Sequence, residues 1–223
     1  MDKPTISSLK EYTTIGNKYF YQQRYEKALD TYIKALKVSQ MINNREGMAI
    51  CYNNIGLVFQ NLGKYRKAIQ YFQKALEIST STNNSGEMIV HLQNLSINYI
   101  YTEQYSISKE YIKKAFIILN QIDNPISKSM FSNLLGVIHY KNQQYDAALK
   151  NYMNSIELNP LNDYAHYNLA CAKSIQNNIQ DALKHLQRAI SLNPKYKKTA
   201  LTEKDFNNLR NLRKFKKLVG EDN

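Results

Sequence analysis

The chain has 223 residues, of which only seven are glycine and four proline, against an average usage of about 12% for the two together. That shortage excludes collagen-like, Pro-rich and loop-rich all-β classes, which need frequent special backbone angles. A hydrophobic content of 43% allows a core and excludes disorder, while a net charge of +12 admits a polyanionic partner without requiring one.

From the N-terminus, Met1 to Lys10 has no apolar leader core. No later run approaches the roughly 18 apolar residues a membrane span needs. A helix pair is predicted over about 9–48. Gly16 lies on its first helix, Gln22-Gln23-Arg24 form a polar turn, and Tyr25, Ala28 and Ala35 lie on its second. The same marks return 40 residues on at Gly56, Tyr65, Ala68 and Ala75 (about 49–88). They recur at Ser96, Tyr105, Ser108 and Ala115 (89–128), then at Gly136, Tyr145, Ala148 and Ser155 (129–162). A fifth copy follows after 34 residues, with Ala170, Ile179, Ala182 and Ala189 (163–196). Apolar residues within each copy recur at helical spacing, as in Tyr52, Ile55, Gly56 and Phe59. Small residues on both helices let the two backbones approach closely. The aromatic that opens the second helix is expected to fill the wedge beside them. The six extra residues of the first three copies are expected to lengthen the second helix and its loop.

Beyond the repeats, Thr202 with Asp205 reads as a capping box, followed by Phe206, Leu209, Leu212, Phe215 and Leu218. One capping helix over 199–219, packed on the fifth repeat, is predicted.

Signals for chemistry are absent from the pattern. Cys51 and Cys171 have neither metal-ligand nor disulfide spacing, and both sit in apolar helical stretches. They read as buried hydrophobes in a reducing compartment, so a cytoplasmic protein is expected. His91, His139, His166 and His185 form no HExxH or Cys/His set, and no glycine-rich phosphate loop occurs. No catalytic residue, metal or cofactor is expected.

The repeat resembles the tetratricopeptide repeat (TPR) family over about residues 9–194. Asn53-Asn54-Ile55-Gly56, preceded by Glu46-Gly47, looks like the 40-residue variant of kinesin light chains and many bacterial regulators. Ser96 and Ala170 replace the usual glycine, and the first three copies lack a closing proline. The resemblance implies an all-α, right-handed α-solenoid of five helix pairs plus a C-terminal capping helix. First helices would line a concave groove, and the protein would be a non-catalytic scaffold holding a partner peptide or protein segment there.

On that expectation, the groove positions are counted back from each glycine-equivalent. Asn54, Asn94 and Asn168 stand two before it; Asn53, Gln93, Asn133 and Tyr167 stand three before it. An amide thus recurs from the second repeat to the fifth, at a cost of a few tenths of a kcal/mol each in helix propensity. Either the amides bond the backbone of an extended peptide, or they bond neighbouring helices. Asn17, Tyr21, Tyr101 and Tyr140 continue this face, where the tyrosines either meet a partner or pack between repeats. The family's clamp for acidic chaperone tails matches at Asn17 and Asn54. Its basic positions would be Thr13, Val90 and Asn94, so no carboxylate clamp is expected. An alternative reading places nucleic acid or an anionic surface on the basic segment 195–223, through Lys214, Lys216 and Lys217. A secretion chaperone or regulator is a further alternative.

Overall fold

The structure is a computed structural model that describes residues 4–220. These residues form helices and no strand. The elements are α1 (Ile6–Tyr21), α2 (Tyr25–Met41), α3 (Arg45–Asn61), α4 (Tyr65–Ser81), α5 (Ser85–Tyr101) and α6 (Tyr105–Leu119). They continue with α7 (Pro125–Lys141), α8 (Tyr145–Leu158), α9 (Asp163–Ile175) and α10 (Ile179–Leu192). After these come α11 (Tyr196–Thr202), a 3₁₀ turn (Lys204–Phe206) and α12 (Arg213–Val219). The chain divides into two compact units, Met1–Ile118 and Leu119–Asn223. Antiparallel pairs α1–α2 and α3–α4 build the first unit with α5, and α7–α8 and α9–α10 build the second with the C-terminal elements. Each unit is a stack of helix pairs of the α-solenoid class.

Local chemistry fixes where helices begin and turn. Asn44, Asn84, Asn124 and Asn162 cap the first helices, accepting from the main-chain N–H of Gly47, Glu87, Ser127 and Ala165. Each such cap stabilises its helix by about 1 kcal/mol, which accounts for much of the asparagine that recurs in register. Between first and second helices the chain reverses through one left-handed residue: Gln23, Gly63, Glu103, Gln143 or Asn177, all with φ between 59° and 69°.

The small residue on each first helix is matched by the residue sixteen positions later. A Cβ at Gly56 would lie 2.6 Å from the Phe72 ring, and one at Gly16 or Gly136 would strike Tyr32 or Tyr152. Where the glycine is replaced, the partner shrinks, giving Ser96 with Ile112 and Ala170 with Leu186. This corrects the expected wedge. The fully seated rings are Tyr32, Phe72 and Tyr152, whereas Tyr25, Tyr65, Tyr105 and Tyr145 open their helices only half-buried. Ser108, in the small position of the third copy, donates to the Ser96 carbonyl at 2.9 Å, so its hydroxyl is satisfied in the core.

The six extra residues of the longer copies are shared by two helices. α2 and α4 have 17 residues where α8 and α10 have 14, and α3 and α5 have 17 where α9 has 13. The loop does not lengthen with them: residues 42–44 and 82–84 join the long helices, one residue fewer than the 159–162 link between α8 and α9.

The single helix expected over 199–219 is interrupted. Thr202 is the last residue of α11, and its hydroxyl donates to the Thr199 carbonyl, so it caps no following helix. The apolar residues repeat every three positions, so on one continuous helix they would wind around the axis instead of holding one face. Breaking the helix lets Phe206, Leu209, Phe215 and Val219 enter one core with Tyr167, Ala170, Cys171, Ala182 and Leu186 of the fifth pair. Cys51 is likewise buried, against Leu9 and Ala35, and neither cysteine forms a disulfide.

Candidate functional site

In the first unit, the predicted amides come together on the first helices. The Asn94 Nδ2 on α5 donates to Asn53 Oδ1 on α3 at 2.9 Å, and Asn53 Nδ2 reaches Asn54 Oδ1 at 3.5 Å. All three are half-buried, as is Gln93. Asn98, which the sequence reading missed, lies beneath them. It donates to Gln60 Oε1 (2.7 Å) and to the Asn94 carbonyl (2.8 Å), while its own buried Oδ1 has no protein partner. On α1, exposed Asn17 accepts from the Tyr32 hydroxyl at 2.7 Å. Tyr21 is exposed, edge-on to Phe20, and Tyr101 stacks flat on Tyr65 with centroids 4.5 Å apart.

Next to the amides, a cavity of about 210 Å³ opens between α3 and α5, lined by Ile50, Asn53, Gly86, Glu87, Val90 and His91. Its apolar members are exposed, Ile50 by 40% and Val90 by 48%. His91 is only 3% exposed, and neither of its ring nitrogens has a partner. Burial pushes its pKa down to about 4. Burial, with Glu46 nearby, holds the Glu87 carboxyl above its ordinary range. Ile50 and Val90 stand six before their glycine-equivalents, a register the amide count did not include. His91 could have been noticed as a polar residue where the second and fourth copies have Cys51 and Phe131.

The second unit repeats the amide bond with one of its two partners buried. Asn168 Nδ2 donates to Asn133 Oδ1 at 2.9 Å, in the register of Asn94 and Asn53, but Asn133 is buried. Tyr167 is buried, stacked on Tyr196 at 4.4 Å and edge-on to Phe206. The Tyr140 hydroxyl donates to Asp205 Oδ2 at 2.6 Å, and Ser174 Oγ donates to Asn208 Oδ1 at 2.6 Å. Residues 203–209 therefore occupy the face that Tyr140 and Tyr167 were expected to present.

The tetratricopeptide repeat profile matches residues 11–81, 52–121 and 164–196, and a TPR repeat profile matches 136–173. The chain belongs to the tetratricopeptide repeat family. No curated protein sequence matches this TPR chain. Its structure is similar to the Rap conjugation gene regulator of plasmid pLS20 in complex with the Phr* peptide. There the TM-score is 0.78 and the identity 16%, covering 94% of this chain and 61% of that one. It is similar to a Rap protein complexed with competence and sporulation factor (TM-score 0.75, 13% identity, 89% of this chain and 57% of that one). It is also similar to BtubC (BKLC) from P. vanneervenii (TM-score 0.68, 16% identity, 87% and 81%). The TPR chain thus spans about three fifths of the two Rap chains, and at these identities the likeness is one of fold. The matches identify the family without singling out its kinesin light chain variant. Among the described residues, no helix of this TPR chain is long and apolar enough to cross a membrane.

Proposed function

We propose that this TPR protein is a non-catalytic interaction scaffold whose first-helix face in the N-terminal unit binds an extended peptide or segment of a partner protein. The observation that carries this reading is the set of half-buried carboxamides Asn53, Asn54 and Asn94. A carboxamide offers two N–H groups and a doubly accepting oxygen, so an Asn–Asn bond orients both groups and leaves each able to donate and accept at a peptide bond. Ile50 and Val90 frame the adjoining cavity, which suits a side chain of the bound segment. The fold likeness to two Rap regulators solved with a peptide or peptide factor supports a peptide partner.

The test is selection of a displayed random-peptide library on the full chain, followed by anisotropy titration of enriched peptides. Affinity in the micromolar range is expected, about −8 kcal/mol. Asn54→Ala is the gentler probe, because it removes only the 3.5 Å contact from Asn53 Nδ2, whereas Asn94→Ala removes the 2.9 Å bond between α5 and α3. Absence of enrichment, or wild-type affinity in both Asn54→Ala and a Val90→Ser variant, sinks the proposal.

A second reading rests on Lys195, Lys197, Lys198, Lys214 and Lys217, all exposed and none in a salt bridge among the described residues. These cations would meet an anionic surface or nucleic acid. Retention on heparin that falls steeply with salt, and is lost on replacing Lys214 and Lys217, supports it. No retention at low salt removes it.

A further inference from the structure

The C-terminal segment assembles three ligand-type side chains that lie apart in sequence. Cys171 Sγ and one carboxylate oxygen each of Glu203 and Asp205 lie within 4.8 Å of one another. Cys171 is on α9 and buried, while Glu203 and Asp205 are half-buried on the chain leaving α11. Neither carboxylate has a cationic partner, since among the described residues the one salt bridge joins Lys173 to Asp181. Arg210, on the same segment, gives its Nη2 to the main-chain carbonyl of Glu203 at 3.0 Å. Two anions this close in a half-buried setting repel each other unless a cation or a proton intervenes.

A second observation comes from α9 itself. Tyr167 is 7% exposed, and its buried hydroxyl has no hydrogen-bond partner. Tyr167 stands one helical turn before Cys171 on α9, shares its core and packs edge-on to Phe206, the residue after Asp205, so its ring lies on the cluster's side of the helix. The Tyr140 hydroxyl meanwhile holds Asp205 in place through its 2.6 Å bond.

We propose that Cys171, Glu203 and Asp205 bind a divalent cation of the zinc class. A water completes the tetrahedron at the fourth position, and the unpartnered Tyr167 hydroxyl is the group nearby on α9 that could bond it. One sulfur with two oxygens suits zinc, whereas calcium and magnesium take all-oxygen sets. Tetrahedral bonds of about 2.0–2.3 Å place ligand atoms roughly 3.3–3.8 Å apart, so the set closes by about 1 Å on binding. Glu203 can make that movement, because it sits in extended backbone just beyond α11. Binding forms the Zn–S bond and breaks the Cys171 S–H bond, and the thiol proton leaves to solvent. The cation ties α9 to the segment that covers it, making the cap of the fifth repeat metal-dependent.

The experiment titrates Zn²⁺ into the chelator-stripped full chain by calorimetry in two buffers of different ionisation enthalpy. Substitution by Co²⁺ is followed through its thiolate charge-transfer band. One equivalent should bind with release of about one proton, raising the thermal midpoint. D205N and E203Q should each weaken binding about tenfold or more, and C171S should abolish the cobalt band. H185Q removes the imidazole pair His166–His185, whose Nδ1 atoms lie 3.1 Å apart, and should leave binding unchanged. If D205N fails to fold by circular dichroism, E203Q decides. Absence of saturable binding in the wild-type chain, undiminished binding in E203Q, loss of binding in H185Q, or bound Co²⁺ without a thiolate band would each overturn the proposal.

Discussion

The two units use the same repeat register and end with opposite surfaces. In the first, the Asn94–Asn53 pair stays half-buried beside a cavity with exposed Ile50 and Val90. In the second, the equivalent Asn168–Asn133 pair is partly buried, and residues 203–209 lie across the neighbouring positions through Asp205, Phe206 and Asn208. Whether a repeat presents an open groove therefore depends on the segment C-terminal to it as much as on the repeat itself. The C-terminal segment supplies the fifth pair with the neighbour it lacks, and so removes its free face.

The largest way to break this contrast is to empty the cap. Phe206→Ala should destabilise the second unit by about 3–5 kcal/mol, as read by chemical denaturation, because the ring is fully buried against Tyr167 and Phe215. Phe72→Ala should cost the first unit a similar amount by uncovering Gly56. Equal, small effects from both would mean that neither ring seals its core.

Acid offers the next contrast. His91 has a folded pKa of about 4 against an ordinary 6.5, so the folded state binds fewer protons in between. Its contribution is fully present above pH 6.5 and is lost as the pH falls towards 4. At about 1.4 kcal/mol per pH unit, that amounts to roughly 3 kcal/mol. His91→Phe, which installs the residue type of Phe131, should remove this share of the slope in denaturation curves at pH 7 and pH 4.5. His166 and His185, which bond each other in the second unit, should leave a residual slope.

Binding tests the open face against the covered one. Asn54→Ala should weaken a selected peptide by about 1–3 kcal/mol, while Asn133→Ala should leave its affinity unchanged in the same anisotropy titration. A reversed order would place the binding face in the second unit. The smallest expected effect lies in the turns. Gly63 has φ +69° with open space at its Cβ, so Gly63→Ala should cost about 1 kcal/mol through backbone strain alone. Glu103 and Gln143 already occupy that conformation, so their replacement by glycine should be tolerated, with thermal melts as the check.

Much of the helix-pair pattern was legible because it is local. The 40-residue spacing of Gly16, Gly56, Ser96 and Gly136, followed by Ala170 after 34, placed the pairs. The amides Asn53, Asn94, Asn133 and Asn168 were also found, and they bond neighbouring helices, Asn133 from a buried position and the other three from half-buried ones. Less legible was anything set by residues far apart. The seating of Phe72 on Gly56 spans two helices, and the spacing of three in Phe206, Leu209, Leu212 and Phe215 looked like one amphipathic helix until its winding was considered.

By itself, then, the sequence determined the helix pairs, their caps and their family, because capping, helical periodicity and small-residue spacing act within a few turns of chain. Only the tertiary structure decided that Asn133 is buried where Asn53 is not, that Tyr167 is covered, and that Cys171 meets Glu203 and Asp205. Those outcomes depend on where residues 203–209 fold back onto α9. No local spacing records that placement, because burial of Phe206 and Phe215 against the fifth pair drives it.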